Sequence, residues 1–171
     1  MTAVNAVTVS GSLTTLSGDI LVDAGGNLTQ NAVISSTAGD VGLISGGSLD
    51  QASSGDVTTG GDVLLEAGSD WTMSSGTEIN ATGNVVGEVL SGDLSLGVIS
   101  GSNVSLTAGG SIIDVNSGLQ NVIADNLSLR ADGGSIGNHD KANGTPDHYG
   151  SAIDIAVAIL AADADSGIYI S

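Results

Sequence analysis

From Gly18 to Leu28 the chain reads GDILVDAGGNL, in which Ile20, Val22, Ala24 and Leu28 share one parity. The pattern returns as GDVGLISGGSL at 39–49 and GDVLLEAGSDW at 61–71, and more loosely as GNVVGEVLSGDL at 83–94. It appears again as SNVSLTAGGSI at 102–112 and, with one insertion, as DNLSLRADGGSI at 125–136, so the period is 19 to 23 residues. A fixed period of this size marks a solenoid, whose units bury their apolar faces only by stacking on one another. Alternation at period two with β-branched residues makes the units strands, not helices. Gly25-Gly26, Gly46-Gly47, Gly109-Gly110 and Gly133-Gly134 follow the first strand of a unit, where a sharp corner calls for positive φ and no Cβ. The expected fold is all-β, a parallel β-helix (β-solenoid) of about eight coils paired about 4.8 Å apart, a rod roughly 40 Å long.

Along the chain, residues 5–17 read as a shortened coil with Ala6, Val7, Val9 and Leu13, and 18–82 hold the clearest three. Val33-Ile34-Ser35, Val57-Thr58-Thr59 and Thr77-Glu78-Ile79 are the candidate later strands. The coil at 83–101 carries Gly87 where its neighbours have an inward Leu or Val, which predicts a bulge or local narrowing. Val104, Leu106, Ala108 and Ile112 restore the ladder, and Leu119, Val122, Ile123, Leu127, Leu129 and Ile136 extend it. The pattern breaks over 138–150 (NHDKANGTPDHYG), a protruding loop, and resumes with Ile153, Ile155, Val157 and Ile159. IDIAVAILAADA could pass for an Ala-rich helix, but its β-branched residues on one parity favour a strand. The whole of 1–171 reads as one solenoid segment, and both ends look cut from a longer array.

Composition narrows the function. The absence of Phe, with one Trp and two Tyr, would starve a globular core but suits a narrow lumen filled by Val, Ile, Leu and Ala. A formal charge of −17, with Arg130 and Lys141 the only cations besides histidine, argues against nucleic acid or an anionic membrane as partner. No apolar run is long enough to insert into a membrane as a helix, and no signal peptide is recognisable. With no cysteine, disulfides and thiolate chemistry are excluded together.

The phrases NVSLTAGGSI and NLSLRADGGSIG, followed by a polar loop and AIDIAVAILAADADSGIYIS, resemble the repeat arrays of filamentous-haemagglutinin-like large exoproteins and adhesins of Gram-negative bacteria. The resemblance covers roughly 18–171 and is one of architecture. It implies a right-handed β-helix, secretion to the bacterial cell surface through an outer-membrane transporter, and a role as stalk, fibre or adhesin. Partners implied are a glycan or protein on a host or neighbouring cell.

Few residues suggest chemistry. Asp19, Asp40 and Asp62, continued by Asn84, Asn103 and Asn126, form a column at one corner. Turn chemistry explains it, with bridging Ca²⁺ as the alternative, although the GGxGxD nonapeptide of calcium-binding β-rolls is absent. His139, Asp140, Lys141, Asp147, His148 and Tyr149 gather in the loop as a possible recognition site; their spacing matches no known metal site. Trp71 stands in the slot of Leu28 and Leu49, a core plug before a sugar-stacking platform. No catalytic residue, resident metal or cofactor is distinguished. The Asn-x-Ser/Thr triplets, such as Asn27-Leu28-Thr29, follow from polar-out alternation. The enzymatic alternative is a carbohydrate-active β-helix, a polysaccharide lyase or glycosidase; a lyase wants a cation beside clustered acids, and both cations lie apart from the acidic column. A third reading is a filament subunit that associates end to end.

Overall fold

The computed structural model describes residues 2–138 and 152–171, and every regular element among them is a β-strand. The strands stack in three series, here faces A, B and C, and every pairing between them is parallel. Face A holds Ile20–Ala24, Val41–Ser45, Val63–Ala67 and Val85–Val89, preceded by Thr2–Ala3 and continued by 104–108, 127–131 and 160–164. Face B is an eight-stranded sheet running from Val7–Val9 through Leu28–Gln30, Leu49–Gln51, Trp71–Met73, Leu94–Leu96 and Ile112–Asp114 to Ser135–Ile136 and Gly167–Ile168. Face C runs from Leu13–Thr15 through Ile34–Ser36, Val57–Thr59 and Glu78–Ala81 to 98–100, 122–124 and 155–157. The fold is a parallel β-solenoid of about six turns, somewhat fewer than the eight coils expected.

The register holds along the whole described length. On face A, Val22 stacks on Leu43, Leu43 on Leu65, Leu65 on Gly87, Gly87 on Leu106 and Leu106 on Leu129. All of these leucines, with the face B column Leu28, Leu49, Trp71, Leu94, Ile112 and Ile136, are buried in one continuous core. Each such leucine contributes about 1.5–3 kcal/mol by leaving water. The outward residues of the same strands are half-buried or exposed, so alternation on each strand closes the lumen.

In the early turns faces C and A meet at a corner stapled by a side chain. Ser36 Oγ donates to the Gly18 carbonyl at 3.0 Å and accepts from the Gly39 amide at 2.9 Å. Thr59 Oγ1 repeats this, bonding the Gly39 carbonyl and accepting from the Gly61 amide. From Val98–Ala108 onward the chain crosses from C to A without a break, as it does again in Val122–Ala131 and Ile155–Ala164. The two faces thereby fuse into one sheet of twelve strands.

Three expectations are corrected. The Gly-Gly corners do not have positive φ; among the described glycines only Gly76, Gly118 and Gly137 do. Glycine is needed because the coils stack too closely for a side chain: a Cβ on Gly46 would lie 2.4 Å from the Gly25 carbonyl oxygen, and one on Gly68 2.3 Å from that of Gly46. No bulge occurs at Gly87, since Val85–Val89 pairs without a slip on both sides. Leu119, Ile123 and Ile159 are exposed, Ile159 to 64%: Leu119 lies in the connection before the face C strand, Ile123 adjoins inward Val122 on that strand and so takes the opposite side, and Ile159 is turned outward by the residue count across the C-to-A bend. Ile155–Ala164 is a strand, as its β-branched residues on one parity led us to expect, and not the Ala-rich helix. The loop expected at 138–150 lies, apart from Asn138, outside the described residues.

Candidate functional site

The outer surface of face A carries three columns of side chains, one per outward position, running along the rod. The first column begins at the corner with Asp19, Asp40 and Asp62 and continues through Asn84, Asn103 and Asn126 to Ile159. Each aspartate uses one oxygen to accept the backbone N–H of the next coil: Asp40 N donates to Asp19 Oδ1 at 2.9 Å, Asp62 N to Asp40 Oδ1 at 2.8 Å and Asn84 N to Asp62 Oδ1 at 2.7 Å. The asparagines then form an amide ladder, Asn103 Nδ2 donating to Asn84 Oδ1 and Asn126 Nδ2 to Asn103 Oδ1, both at 2.6 Å. The corner chemistry expected of these residues is therefore present, but directed to the neighbouring coil and not to each residue's own turn. A matching column marks the A-to-B corner, where Asp70 Oδ1 accepts from Asp93 N at 3.0 Å and Asp93 Oδ1 from Ser111 N at 2.7 Å. Among the described residues no three His, Asp or Glu side chains converge as a metal site would require.

The second column is Leu21, Gly42, Leu64, Val86, Ser105, Ser128 and Ala161. Leu21, Leu64 and Val86 are 47%, 37% and 44% exposed. Gly42 has no side chain, and Leu21 leans across it, so that a Cβ there would lie 2.9 Å from Leu21 Cδ1. A groove of about 540 Å³ lies over this stripe and the first three aspartates. The third column is Asp23, Ile44, Glu66, Glu88, Thr107, Arg130 and Asp163, and a second groove of about 350 Å³ runs beside it over Asp23, Ile44, Glu66, Glu88 and Leu90. Acidic side chains thus flank the apolar stripe on both sides at Leu21 and Leu64, and on the third-column side alone at Val86. Nothing in the inward parity singles out this surface, but a signal for it exists: Leu21, Leu64 and Val86 fill a slot that holds Ser105 and Ser128 later in the chain.

The lumen contains polar residues that the parity pattern also passes over. Gln30 and Gln51 are buried, and Gln51 Nε2 donates to Gln30 Oε1 at 2.8 Å. Trp71 Nε1 donates to Gln51 Oε1 at 2.7 Å, which completes a chain across three coils. Trp71 is fully buried, so it is a core plug and offers no stacking platform. Further along, buried Asn121 donates through Nδ2 to Asp114 Oδ1 at 2.8 Å and accepts from the Asp154 amide at 2.9 Å.

His139, Asp140, Lys141, Asp147, His148 and Tyr149 all lie outside the described residues. Arg130 forms an exposed ion pair with Asp132, Nε to Oδ1 2.5 Å, beyond the acidic part of the face. In comparisons with known proteins the chain matches no family model, no curated protein and no solved structure.

Proposed function

We propose that this chain is a structural, non-catalytic segment of a bacterial surface exoprotein, a rod that holds binding regions away from the cell. The observation that carries the reading is the unbroken register from Val22 to Leu129, in which each coil stacks in parallel on the one before. Such a body supplies reach and stiffness. The corner aspartates support the same reading, because each commits an oxygen to the amide of the next coil and so works as a staple. The resemblance of roughly 18–171 to filamentous-haemagglutinin-like arrays adds secretion and an outer-membrane transporter to the proposal. An antibody against this segment should label intact cells that make the parent chain, and external protease should remove the label. Labelling only after lysis would overturn the reading.

A further inference from the structure

Over the first four full turns, face A presents outward the apolar groups that a rod in water would bury or replace. The same slot is serine in the next two turns, Ser105 and Ser128, so the fold itself does not require Leu21, Leu64 or Val86 there. Negative charge falls away over the same stretch of the rod. On one side of the stripe the carboxylates of Asp19, Asp40 and Asp62 give way to Asn84, Asn103 and Asn126. On the other, Asp23, Glu66 and Glu88 give way to Thr107 and Arg130. On the third-column side negative charge ends with the apolar stripe, at Glu88 beside Val86, and on the corner side it ends one turn earlier, at Asp62 beside Leu64.

Geometry limits what can cover this surface. The two acidic columns are four residues apart along each strand, about 13 Å at about 3.3 Å per residue. An α-helix with its side chains is about 10–12 Å across, so one helix fits between the columns with its axis along the rod. An extended strand would present a single narrow row and reach only one column. The stripe from Leu21 to Val86 crosses three strand-to-strand steps, about 14 Å, which is roughly ten residues of helix.

We propose that the outer surface of face A over these four turns is a docking surface for a basic amphipathic α-helix of a partner protein. The helix lays its apolar stripe on Leu21, Leu64 and Val86, and its flanking lysines or arginines reach the acidic columns on both sides. Charge complementarity excludes an acidic partner or an anionic lipid surface at this place.

The test uses the 171-residue chain and a synthetic Leu/Lys peptide of about 18 residues, long enough to become helical on binding, with leucine on one stripe and lysine on both flanks. Affinity is measured by calorimetry at low salt and again at about 0.5 M, where screening is strong. Helix gained on binding is read by circular dichroism. The peptide should bind with a gain of helix and weaken with salt. The double variant L64S/V86S, which copies the serines of the later turns, should weaken it by about tenfold or more. The variant E66Q/E88Q should weaken it too and flatten the salt dependence. Oligolysine of equal charge should bind less tightly and be indifferent to L64S/V86S. Unchanged affinity in L64S/V86S, equal binding of oligolysine, binding without a gain of helix, or no binding at low salt would each overturn the proposal. Melting curves of both variants, expected to match the parent because the positions face water, keep misfolding from imitating a loss of binding.

Discussion

Trp71 occupies a column otherwise filled by Leu28, Leu49, Leu94 and Ile112, and its extra volume has to go somewhere. It goes into the place left by Gly87, where a Cβ would lie 2.5 Å from Trp71 Cζ3 and 2.8 Å from Leu106 Cδ2. The glycine that looks like a defect in the ladder is therefore the complement of the single tryptophan. Gly87→Ala should destabilise the chain by about 1–3 kcal/mol through overpacking. Trp71→Leu alone opens a cavity and strands Gln51 Oε1, which now accepts the indole N–H. The double variant, which places the added methyl group in the space that the indole leaves, should be more stable than the two single losses added together. Urea unfolding of all four proteins checks this, and simple additivity would show that the two sites do not share their space.

Each corner is a vertical series, and its members do not contribute alike. Asp40 and Asp62 each accept one backbone N–H through Oδ1 yet stack their charges a coil apart, whereas Asn84 and Asn103 both accept and donate along the same line and Asn126 donates to it. Asp62→Asn keeps the acceptor and removes like-charge repulsion, so its stability should stay within about 0.5 kcal/mol of the parent or rise. Asp62→Ala removes the acceptor for Asn84 N and should cost about 1 kcal/mol. The contrast between the two, followed by urea midpoint at low and high salt, separates the hydrogen bond from the charge: the gain from Asn should shrink with salt, and the loss from Ala should remain. An equal loss in both would show that the carboxylate charge itself stabilises the corner.

At the scale of the molecule, stability is a sum over turns and their interfaces. Removing one whole turn, residues 41–62, joins Asp40 to Val63 and brings every column back into line. Trp71 then stacks above Leu28, and its indole can donate to Gln30 Oε1, the atom that Gln51 bonds in the parent chain. The shortened chain should fold with an unchanged β-type circular dichroism spectrum, lose stability by only part of the total, and be shorter by about 4.8 Å. Deleting half a turn, 41–51, places a face A strand where a face B strand belongs and should abolish cooperative unfolding. Similar behaviour of the two deletions would mean that coils are not interchangeable units.

Much of this architecture is legible in the sequence because the side-chain period of a strand is local. Val22, Leu43, Leu65 and Leu106 face inward for the same two-residue alternation by which they are read. The repeat length then leaves stacking as the one way to bury them. Other features depend on residues about twenty positions apart, and no local pattern reveals them. Close stacking of backbone on backbone, not a positive φ, selects glycine at Gly46 and Gly68. The bend between faces C and A counts residues differently in the late turns, which turns Ile159 outward although its parity with Val157 reads inward. The outward stripe of Leu21, Leu64 and Val86 becomes a surface only because coils of slightly unequal length, 21 and 22 residues, bring these positions into one column. Alternation decided which strands form and what they bury; the register between coils decided which side chains meet, because residues about twenty positions apart come together only when the coils stack.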